Sequence, residues 1–319
     1  MKLKRYIFFG LLSALFAIAC EKPIDINLPP PQNAIVVEGH IENGVPPYVL
    51  LTKNSAFFGG LDLNDIEAYF IHGAEIWVKS GNDSVQLVEY TPALISSLPD
   101  SLVQALAVQL GINIDSIEQL PPISVYTIPI NNIFLGEIGK TYDLRIEVDG
   151  KTLTSTTTIP APQGFDSLWV EGHPDPELAD SFFQLYGFLH DPPQPGNYYR
   201  YFTRVDDESW LIANSSVFDD AFFNGKRFKI FIPKGHPVGQ NFNDFDNTTG
   251  YWNIQDTVLT VRLCMIDKPH YDFWRTLENE RNSQGNPFGS FTYVKSNING
   301  GAGIWGGYGS ITQSLVVFH

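Results

Sequence analysis

Apolar and polar side chains alternate most regularly between residues 141 and 158. Tyr142, Leu144, Ile146 and Val148 fall on one side of an extended chain, and Asp143, Arg145, Glu147 and Asp149 on the other. Period two with a single apolar face predicts a strand that buries half of itself. Asp149-Gly150 follows, a pair suited to the positive-φ positions of a tight hairpin turn, and the β-branched run from Lys151 to Thr158 reads as the returning strand. Shorter runs at residues 34–39, 49–51, 75–78 and 85–88 fit the same small antiparallel sandwich, of immunoglobulin-like type.

The period changes between Pro92 and Pro122. Leu102, Leu106 and Leu110 recur every four residues, with Asp100 or Ser101 able to cap the start and Gly111 the end. This predicts a short amphipathic helix inserted in the sandwich, a flap over its open end or an apolar face offered to a partner or to the membrane surface. Ile159-Pro160-Ala161-Pro162 cannot sustain a ladder, because proline lacks an amide donor, and it marks a boundary between domains at 34–162 and 163–319. Beyond it, strands are expected at residues 165–171, 182–189, 198–205, 227–232, 257–265 and 311–318, more widely spaced than in a compact module. They make a second β-sandwich or barrel-like domain with one helix. For that helix Asp267 is the cap, Pro269 sits in the first turn, and His270, Phe273, Trp274 and Leu277 form an i, i+3, i+4, i+7 stripe. Glu278, Glu280 and Arg281 are expected in solvent. The fold class is all-β.

The amino terminus has a different character. Lys2, Lys4 and Arg5 precede an apolar run that ends Ala17-Ile18-Ala19-Cys20, the three-part layout of a secretory signal over residues 1–19. A cysteine directly after a small residue is the bacterial lipobox arrangement, so Cys20 is expected to be acylated, with palmitate or a similar chain, and to hold the protein to a membrane. Residues 20–33 include Pro29-Pro30-Pro31 and read as a semi-rigid tether. No later stretch is long and apolar enough to span a bilayer. The formal charge is −15, and loss of the three signal cations takes it to −18. Such a chain repels phosphate backbones, which argues against nucleic acid as a partner. Two cysteines cannot build a disulfide scaffold. With Cys20 acylated, Cys264 stands alone in an apolar run and reads as a small buried hydrophobe.

The closing region, Gly285-Asn286-Pro287-Phe288 and then Ser296-Asn297-Ile298-Asn299-Gly300-Gly301-Ala302-Gly303-Ile304-Trp305-Gly306-Gly307-Tyr308, carries a likeness. With the lipobox, Val36-Val37-Glu38-Gly39, Gly139-Lys140-Thr141-Tyr142 and Thr158-Ile159-Pro160-Ala161-Pro162, the chain resembles the domain-of-unknown-function family 4249 along its whole mature length. The resemblance implies an outer-membrane lipoprotein of Bacteroidota-type bacteria, of a kind often encoded beside TonB-dependent receptors. It brings no catalytic residue and no cofactor.

The glycine-rich segment lacks the Lys and Ser/Thr of a phosphate loop. Its glycines permit close backbone approach with aromatics packed over them. It reads as a loop folded across the mouth of the sandwich, or as a binding loop. In the second case Asn297, Gly300, Gly301, Gly303, Trp305 and Tyr308 are the candidate residues, with the two rings able to stack on an apolar or sugar face. The seven histidines have no zinc spacing, so no metal is expected. Asp244, Asp246 and Thr248 hint at a calcium loop, but the sixth and twelfth places are Thr249 and Gln255, which suits an ordinary turn. Asp206-Asp207-Glu208 and Asp219-Asp220 are expected as solvated loop charges, and no nucleophile motif is present. The expectation is a non-catalytic, lipid-anchored partner of an integral outer-membrane β-barrel. A stand-alone carbohydrate- or peptide-binding lipoprotein is the alternative, ahead of a hydrolase, and the leaflet it faces stays open.

Overall fold

The computed structural model describes residues 34–53, 67–96, 103, 123–236, 248–283 and 293–317. The signal segment, Cys20, the tether, nearly all of the helix expected over 101–111, residues 244–247 and residues 286–288 lie outside them. Val103, the one described residue of that helix, is helical and buried.

The described chain is mainly β and mostly antiparallel. β1 (Ile35–Glu42), β2 (Tyr48–Lys53), β3 (Glu75–Ser80) and β4 (Asp83–Tyr90) come first, then a single turn of helix, α1 (Pro92–Ile95). β5 (Val125–Thr127), β6 (Thr141–Val148) and β7 (Lys151–Thr158) complete the first half. The β6–β7 hairpin turns as its sequence predicts: Asp149 and Gly150 take φ of 51° and 70°, and Val148 pairs with Lys151. Tyr142, Leu144, Ile146 and Val148 are the buried face of β6.

The second half holds β8 (Phe165–Gly172), β9 (Phe182–His190), β10 (Tyr198–Val205), β11 (Val217–Asp219), β12 (Arg227–Ile232), β13 (Trp252–Asn253) and β14 (Val258–Ile266). After them come α2 (Lys268–Ser283) and the long β15 (Ala302–Val316). Eleven strands form one sheet in the order β11-β10-β14-β15-β1-β2-β5-β4-β3-β6-β7, and β8, β9, β12 and β13 form a smaller one. No barrel closes among the described strands.

β15 ties the halves together. Residues 302–308 pair in parallel with β1, from Val36 beside Ala302 to Glu42 beside Tyr308, and residues 309–316 pair antiparallel with β14. One hydrophobic core gathers β1 to β7 and takes Ile298 and Trp305 from the far end of the chain; a second lies under β8 to β14. The proline-rich run between them forms no strand.

From Ala302 on, the glycine-rich segment is therefore neither a loop folded across the mouth of the sandwich nor a binding loop, as the sequence suggested, but the start of a central strand. Its glycines are there for contact. A Cβ on Gly303, whose φ is +111°, would collide with the Val37 carbonyl, and one on Gly306 would collide with the His270 ring. Side chains at either position would push β15 off β1 or off α2.

Candidate functional site

Alternate residues of adjacent strands share a face, and in the middle of the large sheet that face is unusually polar. β10 contributes Arg200 and Phe202, β14 Arg262 and Cys264, β15 Ile304, Gly306 and Tyr308, β1 Glu38 and His40, and β2 Tyr48. The ladders set them side by side: Phe202 beside Arg262, Arg200 beside Cys264, His40 beside both Gly306 and Tyr48. Helix α2 covers this face with His270 and Trp274. Between helix and sheet is a cavity of about 190 Å3, on whose wall Arg200, Arg262, Tyr308 and both histidines stand.

Helix α2 is placed by its cap. Asp267 Oδ1 accepts the amide of His270 at 3.0 Å, as expected of an N-cap, and Oδ2 accepts the Thr157 hydroxyl of β7 at 2.8 Å. One carboxylate thus starts the helix and pins it to the first half of the chain. Glu278 departs from expectation: it is buried, and takes the Ser216 amide at 3.0 Å and its hydroxyl. Position 278 is i+8 from His270 and so continues the buried stripe; its charge alone suggested solvent.

Aromatic rings hold the two arginines. The Arg200 guanidinium lies 3.5 Å from the centre of the Trp274 ring and 4.7 Å from that of Phe202; that of Arg262 lies 4.3 Å from Phe202 and 4.9 Å from Trp210. Stacking of this kind is favourable for guanidinium and most so where water is scarce. Arg200, 2% exposed, donates from Nε to the Ser216 hydroxyl at 3.2 Å and from Nη1 to the Tyr308 hydroxyl. Arg262 faces Glu42 at 3.6 Å.

The cations shape their neighbours. Burial, with Arg262 and Arg200 nearby, lowers His40 to a pKa of about 3, and burial with Arg200 takes His270 well below its usual value. Both rings are uncharged at neutral pH. Glu38 is exposed over part of its side chain and lines the cavity; desolvation there raises its carboxyl and Arg200 opposes the rise. Cys264 is free and fully buried, its thiol pushed up to about 12, which leaves it inert at neutral pH.

The family described as Domain of unknown function (DUF4249) matches residues 21–314. The chain belongs to that family. No curated protein matches this DUF4249 member. Its functional residues therefore have to be read from its own geometry.

The candidate binding residues separate. Asn297 brackets the backbone of Trp305, donating to its carbonyl at 2.7 Å and accepting its amide at 2.9 Å, while the indole N–H donates to the Tyr142 carbonyl at 3.0 Å. Trp305 is fully buried in the first core and presents no face to a ligand. Gly300 and Gly301 pack against Thr152, Leu153 and Ile35. Of the six, Tyr308 alone lines the cavity. The acidic loop pairs also have structural duties. Asp206 Oδ1 accepts the Val258 amide at 2.9 Å, Asp220 is buried and accepts the Gly196 and Asn197 amides, and Asp219 accepts the Tyr271 hydroxyl at 2.9 Å. Among the described residues no cluster of three or more His, Cys, Asp or Glu side chains could hold a metal.

Sequence reasoning missed the arginines, although a signal was present. Arg262 interrupts the apolar run Val258 to Ile266, and Arg200 and Phe202 fall on one face of β10. A charge inside a strand buried on both faces has to meet something.

Proposed function

We propose that this protein is a non-catalytic lipoprotein of the outer membrane, anchored through Cys20, that works by binding an integral β-barrel such as a TonB-dependent receptor. The anchor rests on the lipobox and tether. Among the described residues no helix is long and apolar enough to cross a membrane.

The observation that carries the binding role is an apolar tip between β5 and β6. Ile130, Ile133, Leu135 and Ile138 are all large, aliphatic and at least 40% exposed, Ile133 at 85%. Single exposed aliphatics are ordinary, but four within nine residues suggest a surface that another protein covers. The tip adjoins the end of β1: Gly136 bridges to Asn43, and the Gly44 amide donates to the Gly136 carbonyl at 2.8 Å. β1 begins at its opposite end, about 25 Å away along an eight-residue strand. An apolar surface at that end of β1 is suited to a protein partner.

The test is copurification from detergent-solubilised membranes, wild type against Ile133→Asp and Cys20→Ala. The expected result is a stoichiometric β-barrel that Ile133→Asp loses while staying in the membrane fraction. Cys20→Ala should leave that fraction. A wild-type lipoprotein that emerges alone, or a β-barrel retained by Ile133→Asp, would count against the docking role, and unchanged fractionation of Cys20→Ala against the anchor.

A further inference from the structure

The cavity between α2 and the sheet is lined by buried N–H groups that no protein atom accepts. Arg262 Nε, His270 Nδ1 and Trp274 Nε1 are buried with no hydrogen-bond partner, and all three residues line it. A buried donor left unpaired costs about 1–3 kcal/mol. Two N–H donors, those of Arg262 and Trp274, and one imidazole nitrogen face a single space, which water or a ligand with acceptor atoms has to fill. Arg200 adds to the imbalance, since its two hydrogen bonds go to hydroxyl oxygens and no carboxylate of the described residues reaches it within salt-bridge distance. Its positive charge is held in place by rings, with no ion partner.

We propose that this cavity binds a small organic carboxylate, a monoanion whose oxygens accept the free N–H groups of Arg262 and Trp274 while Arg200 supplies the compensating charge. Guanidinium groups fixed against rings are preorganised for carboxylate oxygens, so little side-chain freedom is lost on binding. The histidines are uncharged, so the arginines provide the cationic field.

Charge and size select the class. Glu42 faces Arg262 at 3.6 Å, whereas Arg200 has no carboxylate within salt-bridge distance among the described residues. Glu38 stands on the same wall and opposes a second negative charge, so a dianionic phosphate is disfavoured. A neutral sugar or amide would leave the guanidinium charge uncompensated. At about 190 Å3 the space is smaller than the roughly 300 Å3 at which drug-sized sites begin, and it fits a compact acid. The walls are flat aromatic rings, which suits a planar body. This site is separate from the apolar tip, and either can stand without the other.

The experiment is calorimetric titration of the mature lipoprotein in detergent with acetate and benzoate, using benzamide and inorganic phosphate as controls. Saturable binding of at least one carboxylate, tenfold or more tighter than both controls, is expected. Trp274→Phe keeps a ring against Arg200 and removes one donor, and should weaken that binding about tenfold at unchanged melting temperature. Arg262→Lys keeps the charge, removes the Nε donor and should weaken it further. If Arg262→Lys does not fold, Trp274→Phe decides. The proposal is overturned by absence of carboxylate binding at millimolar concentration, by phosphate or benzamide binding as tightly, or by an affinity that Trp274→Phe leaves unchanged.

Discussion

Trp305 and Tyr308 are three residues apart on β15 and face opposite sides of it. On the Trp305 side every neighbour is closed in: the indole N–H meets the Tyr142 carbonyl, Asn297 clamps the backbone, and the ring is fully buried among aliphatics. On the Tyr308 side the ring packs against His40 and His270, with centroids 5.3 and 4.5 Å away, the hydroxyl takes a bond from Arg200, and an open space with unpaired donors remains. One face of the strand is made for stability and the other holds polar groups in readiness. That a single short segment does both follows from the period of a strand, which separates neighbours in sequence onto different surfaces.

The largest test of this contrast is Trp305→Ala. Removing a fully buried tryptophan costs about 3–5 kcal/mol, a large fraction of the roughly 5–15 kcal/mol that stabilises an ordinary domain, and it also strands the Tyr142 carbonyl. Urea unfolding should show the loss. A change under 1 kcal/mol would mean that the first core does not depend on β15. Gly303→Ala comes next, at about 3 kcal/mol, because the added methyl meets the Val37 backbone and alanine is strained at a φ of +111°. Its signature is a loss of stability with no large side chain removed.

Much of this was readable beforehand and some could not be. The β6–β7 hairpin, the Asp267 cap and the buried Cys264 follow from local rules: period two, turn chemistry, and a short acid at a helix start. The parallel pairing of β1 with β15 leaves no local trace, since a strand's pattern records which face is buried and not which strand lies beside it. Trp305 and Tyr308 carry the same aromatic signal in the sequence and differ only by the parity of their position. The cavity draws on residues from Glu38 to Tyr308, so its sole sequence sign is misplaced charge, such as Arg262 in an apolar run. Glu278 was misjudged for the converse reason, its charge outweighing the helical spacing that buries it.

The polar face should also announce itself through pH. His40 has a folded pKa of about 3, below its unfolded value near 6.5, so between those limits the unfolded chain binds more protons and stability falls as pH falls. Glu38 and Glu278, raised by burial, act in the opposite sense near their own range, so the informative quantity is a difference between proteins. From pH 7 to pH 5 the wild type should lose roughly 1–2 kcal/mol more than His40→Gln, followed by urea unfolding at each pH. Parallel pH profiles for the two would show that His40 does not stay neutral in the fold.

The smallest effect is expected at Tyr308→Phe, and it is the most direct comparison with Trp305. The substitution keeps the ring that touches His40, His270 and Phe202 and deletes only the hydroxyl. Arg200 loses one acceptor but keeps its bond to Ser216 and its place over Trp274, and the freed donor lines a space that water can enter. A lost hydrogen bond with water available costs about 0.5–1.5 kcal/mol, and the lower end is expected here. Stability should therefore change by less than about 1 kcal/mol in urea unfolding. If Tyr308→Phe instead cost as much as Trp305→Ala, the hydroxyl would be a structural keystone, and the two faces of β15 would no longer differ in kind.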